Sequence, residues 1–151
     1  MHDAVAVRKE GLRPKKLSQV LESSLYVSDL AAAEAFYGVV LRLPLHSRLE
    51  GRHAFFRCGD QMVLLFNPEA TADPDLTPRG LGSHGAHGPG HLAFRVEAPE
   101  IDIWRAHLES HGIEIEQEVE WGGSRGRSIY FRDPDGNSLE FATAALWGLD
   151  R

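Results

Sequence analysis

The sequence predicts an α+β fold of two tandem βαβββ modules that together form a concave mixed sheet. Three observations predict it. Short runs with strand alternation and longer runs with helical spacing follow one another as strand, helix, three strands. That order occurs twice in the chain. The two copies also align apolar for apolar, with "ESSLYV" falling on "HLAFRV". Internal similarity on this scale constrains the architecture more than any single element does.

Residues 1–17 form a basic N-terminal arm, where Arg8, Lys9, Arg13, Lys15 and Lys16 stand against Asp3 and Glu10. Such an arm reads as a solvated, frayed terminus. The first module spans 18–68. In "VLESSLYV", Leu25 and Val27 face one way while Glu22, Ser24 and Tyr26 face the other. "SDLAAAEAFYGVVL" is an alanine-rich helix with Ser28 or Asp29 as its N-cap. "LPLHSRL", "HAFFRCG" and "QMVLLFN" are three strands separated by "EGR" and "GD".

Residues 69–90 are rich in Pro, Gly, Ala and Asp without periodicity, and form a linker loop. The second module spans 91–145 and opens with the strand "HLAFRVE". "APEIDIWRAHLESHG" is a helix with Pro99 near its first turn, Gly112 past its end, and an apolar face of Ile101, Trp104 and Leu108. "IEIEQEVEW", "RSIYFR" and "NSLEFAT" are strands, the last two joined by a type I turn in "DPDG". Residues 146–151 are a tail.

The chain of 151 residues is 42% hydrophobic and 25% charged, ordinary values for a globular protein. No apolar run approaches the roughly 20 residues of a membrane helix, and the start has no signal-like apolar stretch. A cytoplasmic protein with no membrane partner is the expectation. A net charge of −6, more negative still without the arm, argues against nucleic acid. The single Cys58 excludes an internal disulfide and a multi-cysteine metal site.

Glu140 interrupts an apolar strand. With Leu139 and Phe141 facing the helix-covered core, Ser138, Glu140 and Ala142 face the opposite side. The same alternation puts His91 and Ala93, and Glu22, Ser24 and Tyr26, on that side. Glu22, His91 and Glu140 thus share one sheet face. Two carboxylates brought together in a cleft repel unless a cation lies between them, and a divalent metal resolves the conflict. This donor set suits Mn, Fe, Ni, Co or Zn, and three protein ligands leave open positions for substrate. Ser128, Tyr130 and Arg132 share the face by alternation, with Tyr130 a candidate proton donor or substrate contact. Arg125 and Arg127 are candidates to meet an anion, and Trp121 and Trp147 to wall a pocket. Ser24, Phe56, Val63 and Leu65 are expected to line the first module's half of the cleft. His84 and His87 lie in a glycine-rich loop and are weak ligand candidates.

The repeat, with "LYVSDLAAAEAFYGVVL" after Glu22, "GHLAFRV" at His91 and "YFRDPDGNSLEFAT" at Glu140, resembles the vicinal oxygen chelate superfamily. That superfamily includes glyoxalase I, extradiol dioxygenases, methylmalonyl-CoA epimerase, fosfomycin-modifying enzymes and bleomycin-resistance proteins. The resemblance covers about residues 18–145. It implies one divalent metal held by Glu22, His91 and Glu140, with Glu22 standing where His or Gln is common. Matching "VLLF" to "SLEF" places Leu65 at the fourth ligand position, where it binds no metal. Glu120 stands where the phosphonate-binding members carry a lysine, which argues against a phosphonate substrate.

The resemblance therefore implies a small metal-dependent enzyme of the glyoxalase type. It would bind a small substrate through adjacent oxygens, with Glu140 and Tyr130 in catalytic roles, and a lyase or isomerase reaction is favoured. The alternatives are a metal-free small-molecule binding protein of the bleomycin-resistance kind and an extradiol-type dioxygenase. It also implies a homodimer, with Glu22 of one chain meeting His91 and Glu140 of the other.

Overall fold

The structure is a computed structural model in which residues 12–123 and 125–150 are described; most of the basic arm lies outside them. Strand β1 (Glu22–Tyr26) leads to helix α1 (Leu30–Ala35), which runs on into a π-helical turn, Phe36–Val40. Strands β2 (Leu45–Leu49), β3 (His53–Cys58) and β4 (Gln61–Phe66) follow. A short helix α2 (Pro68–Ala72) opens the linker. The order then repeats as β5 (His91–Arg95), α3 (Glu100–Ser110), β6 (Gln117–Glu120), β7 (Arg127–Arg132) and β8 (Ser138–Ala142). A 3-10 turn, Ala144–Trp147, closes the chain.

The architecture is α+β, as the pattern predicts. It takes the form of two four-stranded mixed sheets, ordered β1-β4-β3-β2 and β5-β8-β7-β6. In each, the first strand runs parallel to the last strand of its module and the others are antiparallel. The parallel pairs bring together the strands at the two ends of each module, on which the candidate ligands lie.

Local chemistry sets the helix starts. Asp29 caps α1 by accepting from the backbone N–H of Ala32 at 3.0 Å. Asn67 caps α2 in the same way, accepting from Glu69. In α3, Ile101 and Leu108 are fully buried, and Gly112 takes the left-handed conformation just past the helix end. Between β7 and β8 the N–H of Gly136 donates to the carbonyl of Asp133 at 3.0 Å. Gly136 has φ of 87°, a conformation that costs glycine little.

One core runs through both modules, from Leu25, Phe36 and Phe56 to Phe131 and Phe141. A buried polar network crosses it. The Tyr37 hydroxyl donates to Asp133 Oδ2 at 2.8 Å, and Asn137 Nδ2 donates to the same oxygen at 2.9 Å. Burial first, then the charge of Asp133, raises the Tyr37 phenol far above its ordinary range, so the donor stays protonated. Asn137 also donates to the carbonyl of Tyr26 and accepts from the N–H of Gly90. The network thus reaches α1's extension, the end of β1, the β7–β8 turn and the start of β5.

Replacing Tyr37 by Phe removes one charge-assisted bond and little volume. We expect Tyr37→Phe to lose about 1.5–3 kcal/mol in urea unfolding. An unchanged midpoint would contradict this role for the hydroxyl.

Candidate functional site

His91 opens β5 and Glu140 lies at the centre of β8, on neighbouring parallel strands. The register pairs His91 with Ser138 and Ala93 with Glu140. Tyr130 of β7 lies directly opposite Glu140. The period-two alternation of strands therefore puts all three side chains on the face turned away from the core.

On that face His91 Nε2 stands 3.3 Å from Glu140 Oε1. The Glu140 side chain is 6% exposed and that of His91 51%. His91 Nδ1 donates to the carbonyl of Ser138 at 3.0 Å, with the Ser138 hydroxyl 3.2 Å away. A proton held on Nδ1 leaves the Nε2 lone pair of a neutral imidazole aimed at a carboxylate. Two lone pairs facing each other at that distance require a proton or a cation between them. Among the described residues Glu140 Oε2, buried, has no hydrogen-bond partner. A buried carboxylate oxygen without a partner is costly unless something binds it. Both observations fit a divalent cation, with the Ser138 carbonyl fixing the imidazole as outer-shell partners of metal-bound histidines do.

A cavity of about 330 Å³ lies over the pair, walled by Trp121, Tyr130, Arg125, Leu146 and Trp147. Trp121 is held by a hydrogen bond from its indole N–H to Ser128 Oγ at 2.8 Å. Its backbone N–H also donates to the carbonyl of Gly126 at 2.8 Å. The Tyr130 ring is stacked near His91, with centroids 6.3 Å apart. Burial, followed by the negative charge of Glu140, pushes its phenol above the ordinary range. Tyr130 is thus kept as an O–H donor beside the carboxylate.

Glu22 does not join this pair within the chain. It stands exposed at the start of β1, across from Met62 in the other sheet. Among the described residues no cluster of three or more His, Cys, Asp or Glu is arranged to hold a metal. Ser24 is exposed two residues further along β1, on the same side as Glu22.

Three sequence expectations need correction. Phe56 and Leu65 are fully buried among core residues, as is most of Val63, so they do not line the face that carries Glu22. The register pairs Glu22 with Met62 and Ser24 with Leu64, as it pairs His91 with Ser138 and Ala93 with Glu140. The counterpart of Glu140 is therefore Leu64, one residue from the expected Leu65, and a one-residue shift turns a side chain to the other face. Arg127 alternates with Ser128 and Tyr130 and so lies on the helix side, paired with Asp102 at 3.1 Å and with Glu118.

The histidines of the linker do not approach His91 as ligands. His84 Nδ1 and the Tyr26 hydroxyl are hydrogen-bonded to each other at 2.7 Å, and His87 lies 3.7 Å from Glu69. Leu146 in the pocket wall was not foreseen, because the tail carries no periodic signal. Among the described residues no helix is long and apolar enough to cross a membrane.

Comparison with known proteins agrees with this fold. The family model described as the Glyoxalase/Bleomycin resistance protein/Dioxygenase superfamily matches residues 16–141. The chain is similar to the glutathione transferase FosA of Serratia marcescens, with 32% identity over 82% of this chain and 79% of that protein. Similarity to the metallothiol transferase FosB of Shouchella clausii is 31%, over 80% and 76%. Among solved structures, that of a lactoylglutathione lyase from Agrobacterium tumefaciens superposes with a TM-score of 0.83. It is 40% identical and the match covers 89% of this chain and 99% of that one.

The charge of Glu140 is the second cause of the raised Tyr130 phenol, so its removal has a sign. In Glu140→Gln the phenol should titrate at lower pH, closer to its ordinary value, though still above it because burial remains. Tyrosine NMR titration, assigned with Tyr130→Phe, checks this. An unmoved Tyr130 would mean that the two groups are not electrostatically coupled.

Proposed function

This chain belongs to the Glyoxalase/Bleomycin resistance protein/Dioxygenase superfamily, and from that premise we propose that it is a metal-dependent enzyme acting on a small substrate. The observation that carries this reading is the His91–Glu140 pair: an imidazole lone pair aimed at a carboxylate whose second oxygen is buried and unpartnered. His91 and Glu140 would hold one divalent ion of the Mn, Fe, Ni, Co or Zn type. Glu22 of a second copy would supply the third ligand. Once bound, the ion supplies Lewis acidity to two adjacent substrate oxygens and stabilises negative charge that develops on them.

The protein's own residues then do the remaining work. Tyr130 offers a neutral O–H at the edge of the pair and can hold or deliver a proton there. Trp121 and Trp147 wall the cavity, and Arg125 supplies positive charge there. We favour a lyase or isomerase reaction, supported by the 40% identity to a protein named as lactoylglutathione lyase. Thiol transfer is the second reading, favoured by similarity to two proteins named as glutathione and metallothiol transferases.

A homodimer follows from the same reading. An isologous two-fold arrangement turns one Glu22 and one His91–Glu140 pair per chain into two complete sites. Light scattering at micromolar concentration should give twice the chain mass, and a monomer would contradict it.

Metal should stabilise the folded protein by mass action. We expect Mn, Ni or Zn to raise the melting temperature of untagged, chelator-treated protein. Glu140→Gln should remain folded and bind metal more weakly by over about 100-fold, a loss beyond that of an outer-shell partner. An identical metal response in the two proteins would rule out Glu140 as a ligand. Protein that neither carries nor responds to metal would favour a metal-free binding module.

A further inference from the structure

The site above makes no use of Arg52, which is 5% exposed in the turn between β2 and β3. Among the described residues its guanidinium makes a single side-chain hydrogen bond, from Nη1 to His53 Nδ1 at 2.7 Å. Nε is buried and has no partner. None of the ion pairs among the described residues includes Arg52. The guanidinium carbon stands 5.5 Å from the centre of the Phe66 ring.

Its surroundings are neutral. His53 accepts the bond from Arg52, so Nδ1 carries no proton, and burial followed by the Arg52 charge holds the imidazole below its ordinary range. The His53 ring stacks on Phe55 with centroids 3.9 Å apart and planes at 6°. His84 makes an edge contact with Phe66 at 4.6 Å and is hydrogen-bonded to the Tyr26 hydroxyl. A fixed cation is thus surrounded by aromatic and imidazole groups, with no acid among the described residues paired to it. Cation–π attraction offsets part of the desolvation cost, but an unpaired buried charge remains unfavourable.

We propose that Arg52 and this aromatic shell form a receptor for an oxyanion, a carboxylate or phosphoryl-type group carried on an apolar body. The planar guanidinium presents parallel N–H donors that match such groups. Phe55 and Tyr26, both half-buried, offer apolar surface to the body attached to it. The receptor lies in the first module's sheet, whereas His91 and Glu140 lie in the second. It does not depend on the metal reading, and either can fail without the other.

His53 is a local probe, because an anion on Arg52 relieves the charge that helps depress its titration. Inorganic phosphate and acetate are titrated separately at constant ionic strength set with chloride, while the His53 ring is followed by NMR. We expect a saturable shift with at least one of them and a His53 titration moved to higher pH. The anion that saturates first distinguishes phosphoryl-type from carboxylate ligands. Arg52→Met should weaken the response by more than about tenfold, and Glu140→Gln should leave it unchanged. No saturable shift in the wild-type protein up to about 100 mM of either anion would overturn the proposal. So would an undiminished response in Arg52→Met, or its loss in Glu140→Gln. Should Arg52→Met not fold, the wild-type and Glu140→Gln titrations still decide.

Discussion

The buried carboxylate of Asp133 is the constraint on which the arrangement of this molecule depends. It accepts hydrogen bonds from the Tyr37 hydroxyl, the Asn137 side chain, and the backbone N–H groups of Asp135 and Asn137. A charge this deep is tolerated only when its oxygens are so fully occupied. Every donor therefore has a fixed place. Tyr37 brings the first module's helical segment against the second module's last hairpin. Asn137 ties the end of β1 to the start of β5, since it bonds both the Tyr26 carbonyl and the Gly90 N–H. Gly90 precedes His91 and Asn137 precedes Ser138, so the same side chain sets β5 and β8 side by side. The contact between His91 and Glu140 is a consequence of that setting.

The repeat is structurally symmetric and chemically asymmetric. Both sheets have the same strand order, yet the ligand-bearing positions hold Glu22 and Leu64 in one and His91 and Glu140 in the other. The second module thus carries a facing imidazole and carboxylate, with one carboxylate oxygen buried and unpartnered among the described residues. The first carries a single exposed acid that could complete that pair.

Much of this was legible in the chain. Alternation in "HLAFRV" and "NSLEFAT" put His91 and Glu140 on one face, because an acid among apolar residues betrays the side it must take. Asp29 as a cap and the turn in "DPDG" followed from side-chain chemistry that acts within a few residues. The first module's last hairpin was harder. "AFF" and "VLLF" do not alternate, and Leu64 and Phe66 are buried on the side away from the core as Val63 and Leu65 are within it. The two hairpins also differ in length, with Gly59 and Asp60 joining β3 to β4 where Asp133–Asn137 join β7 to β8. Nothing local reveals such a slip. Arg52 was hidden for another reason: a charged residue in a turn reads as solvated, and only the tertiary structure shows it buried against Phe66.

We infer that His91 and Glu140 need Glu22 from a second copy to complete one metal site. It is tested most directly by mixing chains that each lack one ligand. Glu22→Ala and Glu140→Gln chains, carrying different non-chelating tags, are unfolded together, refolded and purified as the mixed dimer for metal analysis. The account predicts one tightly bound divalent ion per mixed dimer and none in either parent, because one of the two sites regains all three ligands. A mixed dimer as empty as its parents would contradict it.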